Sequence, residues 1–258
     1  MSLASLITLS VVSHGHGPLL LRLLDDLDAL HSLQGATVLV TLNSPDERID
    51  LAHYQHLSIQ TLRNPVPKGF GANHNAAFKR CTTPWFAILN PDLRIVGDIF
   101  SGLITSGNVS NAALLAPRVV DNVGVPEDSV RANLTPWSVI KRVAGLERLH
   151  TSVLEAGFRW YAGMFYLVRS TAYAAVGGFD ESYFLYCEDF DLCARMHLDG
   201  MPIAFEPTFG VVHAAQRASH RSGRHLRMHL VSLLRVWLSP PVWRIALKDA
   251  LCAWRRLV

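Results

Sequence analysis

Over the first 120 residues, short apolar runs alternate with amphipathic segments, and this alternation limits the fold more than any other feature. Residues 6–12, 37–42, 57–62, 85–89 and 113–119 are short runs with strand character. Between them, Pro18 opens a helical pattern over 19–30, and the glycine-rich KGFGANHN (68–75) opens a short helix through Lys79. Strand and helix in this order predict an α/β fold, a mostly parallel sheet with helices on both faces. Ligands of such sheets sit beyond the carboxyl ends of the strands. Three places qualify: His14-Gly15-His16, Asn43-Ser44 and Asn90-Pro91-Asp92.

With 258 residues, half of them hydrophobic and 17% charged, the chain can build one large core, and disorder is excluded. A net charge of +3 is too weak a basic bias for duplex binding, so no nucleic-acid partner is expected. Cys81, Cys187, Cys193 and Cys252 show no CxxC or zinc-like spacing and are expected as reduced thiols in a reducing compartment. The segment MSLASLITLSVVSHGHG lacks a basic n-region and reads as a first buried strand rather than a signal peptide. No apolar stretch reaches the roughly 18 residues that span a bilayer, so a cytoplasmic protein, soluble or peripheral, is expected. Residues 121–157 show no clean period, with one short helix expected at 137–143; structure resumes at 160–168, and 208–212 is a β-like run.

Three groups of residues can carry chemistry. Asp92 follows the abrupt end of an apolar run, where a hard oxygen ligand can meet Mg²⁺ or Mn²⁺ on a diphosphate; the same letters also make an ordinary Asx-Pro turn. Glu188-Asp189-Phe190-Asp191 places three carboxylates at the start of a helical pattern. They can serve the helix dipole, or one of them, among Tyr183, Phe184, Leu185, Tyr186 and Phe190, can take a proton from a hydroxyl. His213 ends a β-like run and is either structural or a ligand, and spacing does not choose it over His14, His16, His220 or His225. The turn at 68–75 can cradle phosphate through backbone N–H groups, yet it lacks the third glycine of a dinucleotide fingerprint.

Together the strings VVSHGHG (11–17), GFGANHN (69–75), LNPDL (89–93), AGMFYLVR (162–169), GFDESYFLYCEDFDLCARMHLDG (178–200) and VVH (211–213) resemble glycosyltransferase family 2. Within it they are most similar to bacterial rhamnosyltransferases that act on N-acetylglucosaminyl-diphospho-undecaprenol. The resemblance implies a GT-A fold over residues 1–220, with a nucleotide-sugar-binding half (1–120) and an acceptor-binding half (121–220). It implies a divalent metal, Mg²⁺ or Mn²⁺, with Asp92 as ligand and His213 near the metal or diphosphate. Asp189 matches the general base, with Glu188 beside it. Ser13, His14, Asn43, Gly69, Gly71, Asn75 and Asn90 fall to the nucleotide-sugar donor. The implied reaction is an inverting transfer of L-rhamnose from dTDP-β-L-rhamnose to a lipid-diphosphate-linked glycan in O-antigen or related lipopolysaccharide synthesis. Two positions depart from the pattern: Thr41 stands where relatives carry a base-reading aspartate, and Asn90 replaces the first aspartate of the metal motif. A UDP- or GDP-sugar donor, a non-catalytic relative and a nucleotide-dependent oxidoreductase are the alternatives.

Residues 221–258 form a basic tail with Trp237, Trp243 and Trp254 interleaved and one acid, Asp249. Pro240-Pro241 splits it into two helical pieces. Such a segment either caps the domain or lies on an anionic membrane surface, on the cytoplasmic face where a lipid-linked acceptor would be met.

Overall fold

The computed structural model describes residues 2–145, 157–214 and 223–254. The proposed boundary at 220, together with His220, lies outside these residues. An eight-stranded sheet forms the centre, in the order β3-β2-β1-β4-β9-β6-β10-β5. Its parallel half comprises β1 (Ile7–Ser13), β2 (Thr37–Leu42), β3 (Ser58–Arg63) and β4 (Trp85–Leu89). β1, β2 and β4 are almost wholly buried, which explains their continuous apolar runs, whereas β3 is a largely exposed edge.

The second half mixes directions. β9 (Phe165–Arg169) runs antiparallel between β4 and β6 (Leu114–Val120). β10 (Ile203–His213) lies parallel to β6, with a bulge between Glu206 and Gly210, and pairs antiparallel with the two-residue β5 (Leu93–Arg94). Where structure resumes over 160–168 there are two strands. β8 (Arg159–Tyr161) pairs with β7 (Val130–Ala132) in a separate ribbon, and the chain crosses into the large sheet at Ala162-Gly163-Met164. Gly163 allows this crossing to run close over the site, because a Cβ there would stand 3.3 Å from Asp189 Cβ.

Helices cover both faces. On one, α1 (Gly17–Asp28) and α3 (Phe100–Ser110) bury Leu20, Leu23, Leu24, Leu27 and Phe100, Leu103, Ile104 at helical spacing. α3 was not expected from sequence, because its glycines, serines and asparagine dilute the apolar stripe. On the other face lie α2 (Phe70–Phe78), α5 (Ser170–Ala175), α6 (Glu188–Leu198), α7 (Gly223–Leu238) and α8 (Pro240–Trp254). α4 (Pro136–Val143) starts from Thr135, whose side chain accepts the Ser138 N–H as N-cap. Val236, Val242 and Ile245 are fully buried, so α7 and α8 pack as part of the domain rather than trailing from it.

Candidate active site

The carboxyl edge of the parallel strands gathers the candidate residues. β4 ends at Leu89, and Asn90 donates its backbone N–H to Met164 O at 2.9 Å. Two residues on, Asp92 Oδ2 lies 3.1 Å from His213 Nε2, at the end of β10, and Ala214 N–H donates to Asp92 O at 2.8 Å. The other ring nitrogen of His213 is 2.8 Å from Glu127 Oε2. Burial disfavours the charged imidazole, but hydrogen bonds and charge from Asp92 and Glu127 outweigh it and raise His213 to about 9.

Asp92 Oδ1 is buried with no hydrogen-bond partner. A lone carboxylate oxygen left this way is costly unless something positive meets it. Asp92 Oδ1 therefore fits a hard divalent cation, with the diphosphate supplying further oxygens, and His213, paired with the other oxygen, would join as a ligand on giving up its proton. Among the described residues, no group of three or more His, Cys, Asp or Glu forms a complete cation cage. Metal and donor would then bind together.

The base candidate stands beside this group. Gly163, next in sequence to Met164, donates its N–H to Asp189 Oδ2 at 3.2 Å, and the Phe190 N–H donates to Oδ1 at 2.8 Å. Asp92 and Asp189 thus hang from adjoining points of one backbone junction, 90 to 164 and 163 to 189. Burial raises the Asp189 carboxyl, opposed by the charge of Arg131 and by these backbone donors. Glu188 is 5% exposed, its Oε2 has no partner, and burial followed by the charge of Asp189 pushes it well above the usual carboxylate range.

The approach to this pair is strained. Tyr186 and Cys187 both adopt left-handed backbone (φ 73° and 65°), where side chains are rarely found. α7 clamps them: Ser232 Oγ donates to Leu185 O at 2.9 Å, and Tyr186 Oη lies 2.8 Å from His225 Nδ1. Asp191, the third carboxylate of the block, pairs with Arg195 at 2.7 Å.

At the β1 end, Ser13 Oγ donates to Glu47 Oε1 at 2.5 Å, and Gly15 N–H donates to Glu47 Oε2 at 3.1 Å. His14 Nδ1 lies 3.0 Å from Asn43 O. The Asn43 side chain is tethered: Oδ1 accepts from Lys68 N–H and Asn64 Nδ2, each at 2.8 Å, and Nδ2 donates one of its two hydrogens to Lys68 O at 2.9 Å. Its amide therefore holds the 64–69 turn, with one Nδ2 hydrogen left over. Thr41, 1% exposed, is sealed in the core.

The glycine-rich turn faces protein. A Cβ on Gly69 would stand 2.7 Å from Phe184 O, and one on Gly71 2.5 Å from Phe179 Cβ. Asn75 Oδ1 accepts from Tyr173 Oη and Phe179 N–H, while Nδ2 donates to Phe179 O and Glu181 Oε1. These residues join α2 to the segment that leads into Glu188-Asp189. His74 is a core residue, its Nδ1 2.9 Å from Ser10 Oγ, and burial lowers it to about 3.

No family model matches the chain. It is 26% identical over 242 residues to "Rhamnosyltransferase WbbL" of Escherichia coli (strain K12), covering 87% of this chain and 90% of that one. To "N-acetylglucosaminyl-diphospho-decaprenol L-rhamnosyltransferase" of Mycobacterium tuberculosis (strain CDC 1551 / Oshkosh) it is 26% identical over 250 residues, 86% of this chain and 79% of that one. In fold it matches the mannosyltransferase PcManGT of Pyrobaculum calidifontis, solved with GDP-Man and Mn²⁺. That match has a TM-score of 0.62 at 14% identity over 92% of this chain and 66% of the other. The chain is a glycosyltransferase with the GT-A fold.

In this glycosyltransferase three site residues escaped sequence reading: Glu47, Glu127 and Arg131. Each lies in a loop or short strand with no periodic signal around it. Glu47 alone left a trace, as a carboxylate a few residues past the end of β2.

Proposed function

We propose that the protein is an inverting glycosyltransferase that moves L-rhamnose from dTDP-β-L-rhamnose to a lipid-diphosphate-linked glycan acceptor in cell-surface polysaccharide synthesis. The carrying observation is the placement of Asp92 and Asp189 on one backbone junction, the first with an unpartnered buried oxygen, the second held by two N–H donors. The relatives' names supply the sugar and the acceptor class.

On this reading Asp92 and His213 hold the divalent cation. When bound, Mg²⁺ or Mn²⁺ neutralises charge on the departing nucleoside diphosphate. The loop at 13–16, braced by Glu47, lies against the donor's nucleoside. Asp189 accepts the proton of the acceptor hydroxyl as its oxygen bonds to the anomeric carbon and the bond to the diphosphate breaks on the opposite face. One displacement inverts the stereochemistry. Burial suits Asp189 to the task, since a carboxylate held above its usual range is a better base.

A bilayer-facing position on the cytoplasmic side completes the reading. α4, α7 and α8 expose Trp137, Ile140, Leu230, Leu234, Trp243 and Trp254. Lys141, Arg227, Arg244 and Lys248 lie on the same helices. Trp237 Nε1 donates to Leu134 O at 2.8 Å and Asn133 Nδ2 to Val242 O at 3.0 Å, so the three helices adjoin. No single helix among the described residues is long and apolar enough to cross a membrane, although α7 and α8, bent by 59°, pass such a test together. Apolar and tryptophan-bearing with a basic fringe, this surface suits the headgroup region of an anionic bilayer.

The test is transfer from dTDP-rhamnose, with UDP- and GDP-sugars as competitors, to a synthetic N-acetylglucosaminyl-diphospho-lipid. Asp189→Asn is expected to abolish product while leaving the circular dichroism spectrum unchanged. Normal turnover in that variant removes Asp189 from the base role, and turnover with UDP- or GDP-sugars alone replaces the donor.

A further inference from the structure

The base sits in a setting that works against its own ionisation. Asp189 makes no ion pair among the described residues; its oxygens take only the backbone N–H groups of Gly163 and Phe190. Facing it are Glu188 and Cys193 from its own helix, Cys187 just before that helix and Tyr166 from β9, all of which gain nothing from a second negative charge nearby. One cation opposes them from another element, Arg131 on β7.

Arg131 is built into place. It stands directly across the ribbon from Trp160, so both side chains share a face, and its guanidinium carbon lies 5.1 Å from the Trp160 ring centre. Trp160 is fixed in turn, its Nε1 donating to Ala132 O at 2.6 Å and its ring meeting Phe190 edge-on at 5.8 Å. The ribbon continues through Ala162 N–H to Ser129 O at 2.8 Å, one residue before Gly163, which holds the base. Arg131 Nε donates to Asp128 O at 3.0 Å and lies 3.3 Å from the Asp128 carboxylate, which also pairs with Arg142. The terminal nitrogens of Arg131 take no hydrogen bond among the described residues.

We propose that Arg131 is a positioning residue for the transfer reaction, a tethered cation over the Trp160 ring that favours the charged base at Asp189 without occupying its oxygens. A direct salt bridge would also favour the charged base, but it would take the oxygen that must receive the acceptor proton and would weaken it as a base. A guanidinium over an indole, anchored at Nε by Asp128, supplies positive charge from the side. Lysine, with a mobile point charge and no Nε to anchor, supplies it less well.

This inference rests on Asp189 being the base, so its test has one arm that needs no turnover. In full-length protein with ¹³C-labelled aspartate carboxyls, the Asp189 resonance is assigned by its loss in Asp189→Asn and titrated by NMR. In Arg131→Gln that titration is expected to move at least tenfold in proton concentration toward alkaline pH, with a smaller move in Arg131→Lys. The acid limb of kcat is expected to move alike, while kcat recovers at high pH and the acceptor KM changes less than threefold. An Asp189 titration that stays put in both variants overturns the proposal. So does an even loss of kcat at all pH with a raised acceptor KM, which would make Arg131 an acceptor-binding group. Should Asp189→Asn keep its activity, the proposed function fails, and the NMR arm still decides what Arg131 does to Asp189.

Discussion

Substituting Gly69 by alanine tests how rigidly the glycine-rich turn holds the catalytic segment. Gly69 has φ −64° and ψ 161°, which alanine adopts freely, so backbone conformation is not at stake. Loss of unfolded-state freedom alone would stabilise the variant by roughly 0.4–1 kcal/mol. Against this, the new Cβ would stand 2.7 Å from Phe184 O, 2.9 Å from Phe184 Cα and 3.0 Å from Tyr183 O. These are backbone atoms, and the Phe70 N–H to Phe184 O bond at 2.9 Å holds them close. Overpacking of this kind costs about 1–3 kcal/mol, so the net effect is a loss of roughly 1–2 kcal/mol, a melting temperature lower by about 5 °C. Activity is expected to suffer more, because residues 183–184 lead into the strained Tyr186-Cys187 step and Asp189. Displacement of a reacting group by about 1 Å can cost on the order of a hundredfold in rate. Urea denaturation and kcat measured on the same preparation give both numbers. Gly17→Ala is the control, since its Cβ meets only Ile49 atoms, the nearest at 3.5 Å. If Gly69→Ala melts within a degree of wild type and turns over within twofold, the 183–184 segment yields freely and the reasoning fails.

Three more outcomes are expected. Asp92→Asn, read by calorimetric titration of Mn²⁺ in the presence of dTDP, is expected to lose at least tenfold in cation affinity; unchanged affinity discards Asp92 as a ligand. In EDTA, wild type should lose stability relative to His213→Gln as pH rises. His213 is raised from 6.5 to about 9, so its contribution, roughly 3 kcal/mol, is whole below the unfolded value and gone above the folded one. Parallel stability curves for the two proteins from pH 6 to 10 would contradict this. Finally, wild type is expected to float with vesicles containing phosphatidylglycerol and Leu230→Asp/Leu234→Asp to remain at the bottom, both leucines being more than half exposed; equal flotation places the contact elsewhere.

The parallel half of the sheet and α1 could be read locally, because a buried strand is a continuous apolar run and a one-faced helix repeats its leucines at 20, 23, 24 and 27. Asp92 and Asp189 were legible as candidates because each is a carboxylate at the end of a strand or the start of a helix, although turn and helix-dipole roles put the same residue type there. The split of 160–168 into β8 and β9 left no such trace, since both pieces are apolar and only their partners differ. Nor did the chain announce that Asn43 and Asn75, which look like ligand-reading amides, spend their hydrogen bonds on Lys68 and Phe179.

Periodicity and turn chemistry are properties of neighbours along the chain, and they alone determined the α/β class and the sheet edge where a ligand belongs. Partnership across long separations was decided by tertiary structure: Glu47 on Ser13, Glu127 on His213, Arg131 beside Asp189. A side chain's charge state and its freedom to meet substrate depend on burial and on which groups fold against it, and no local pattern encodes those.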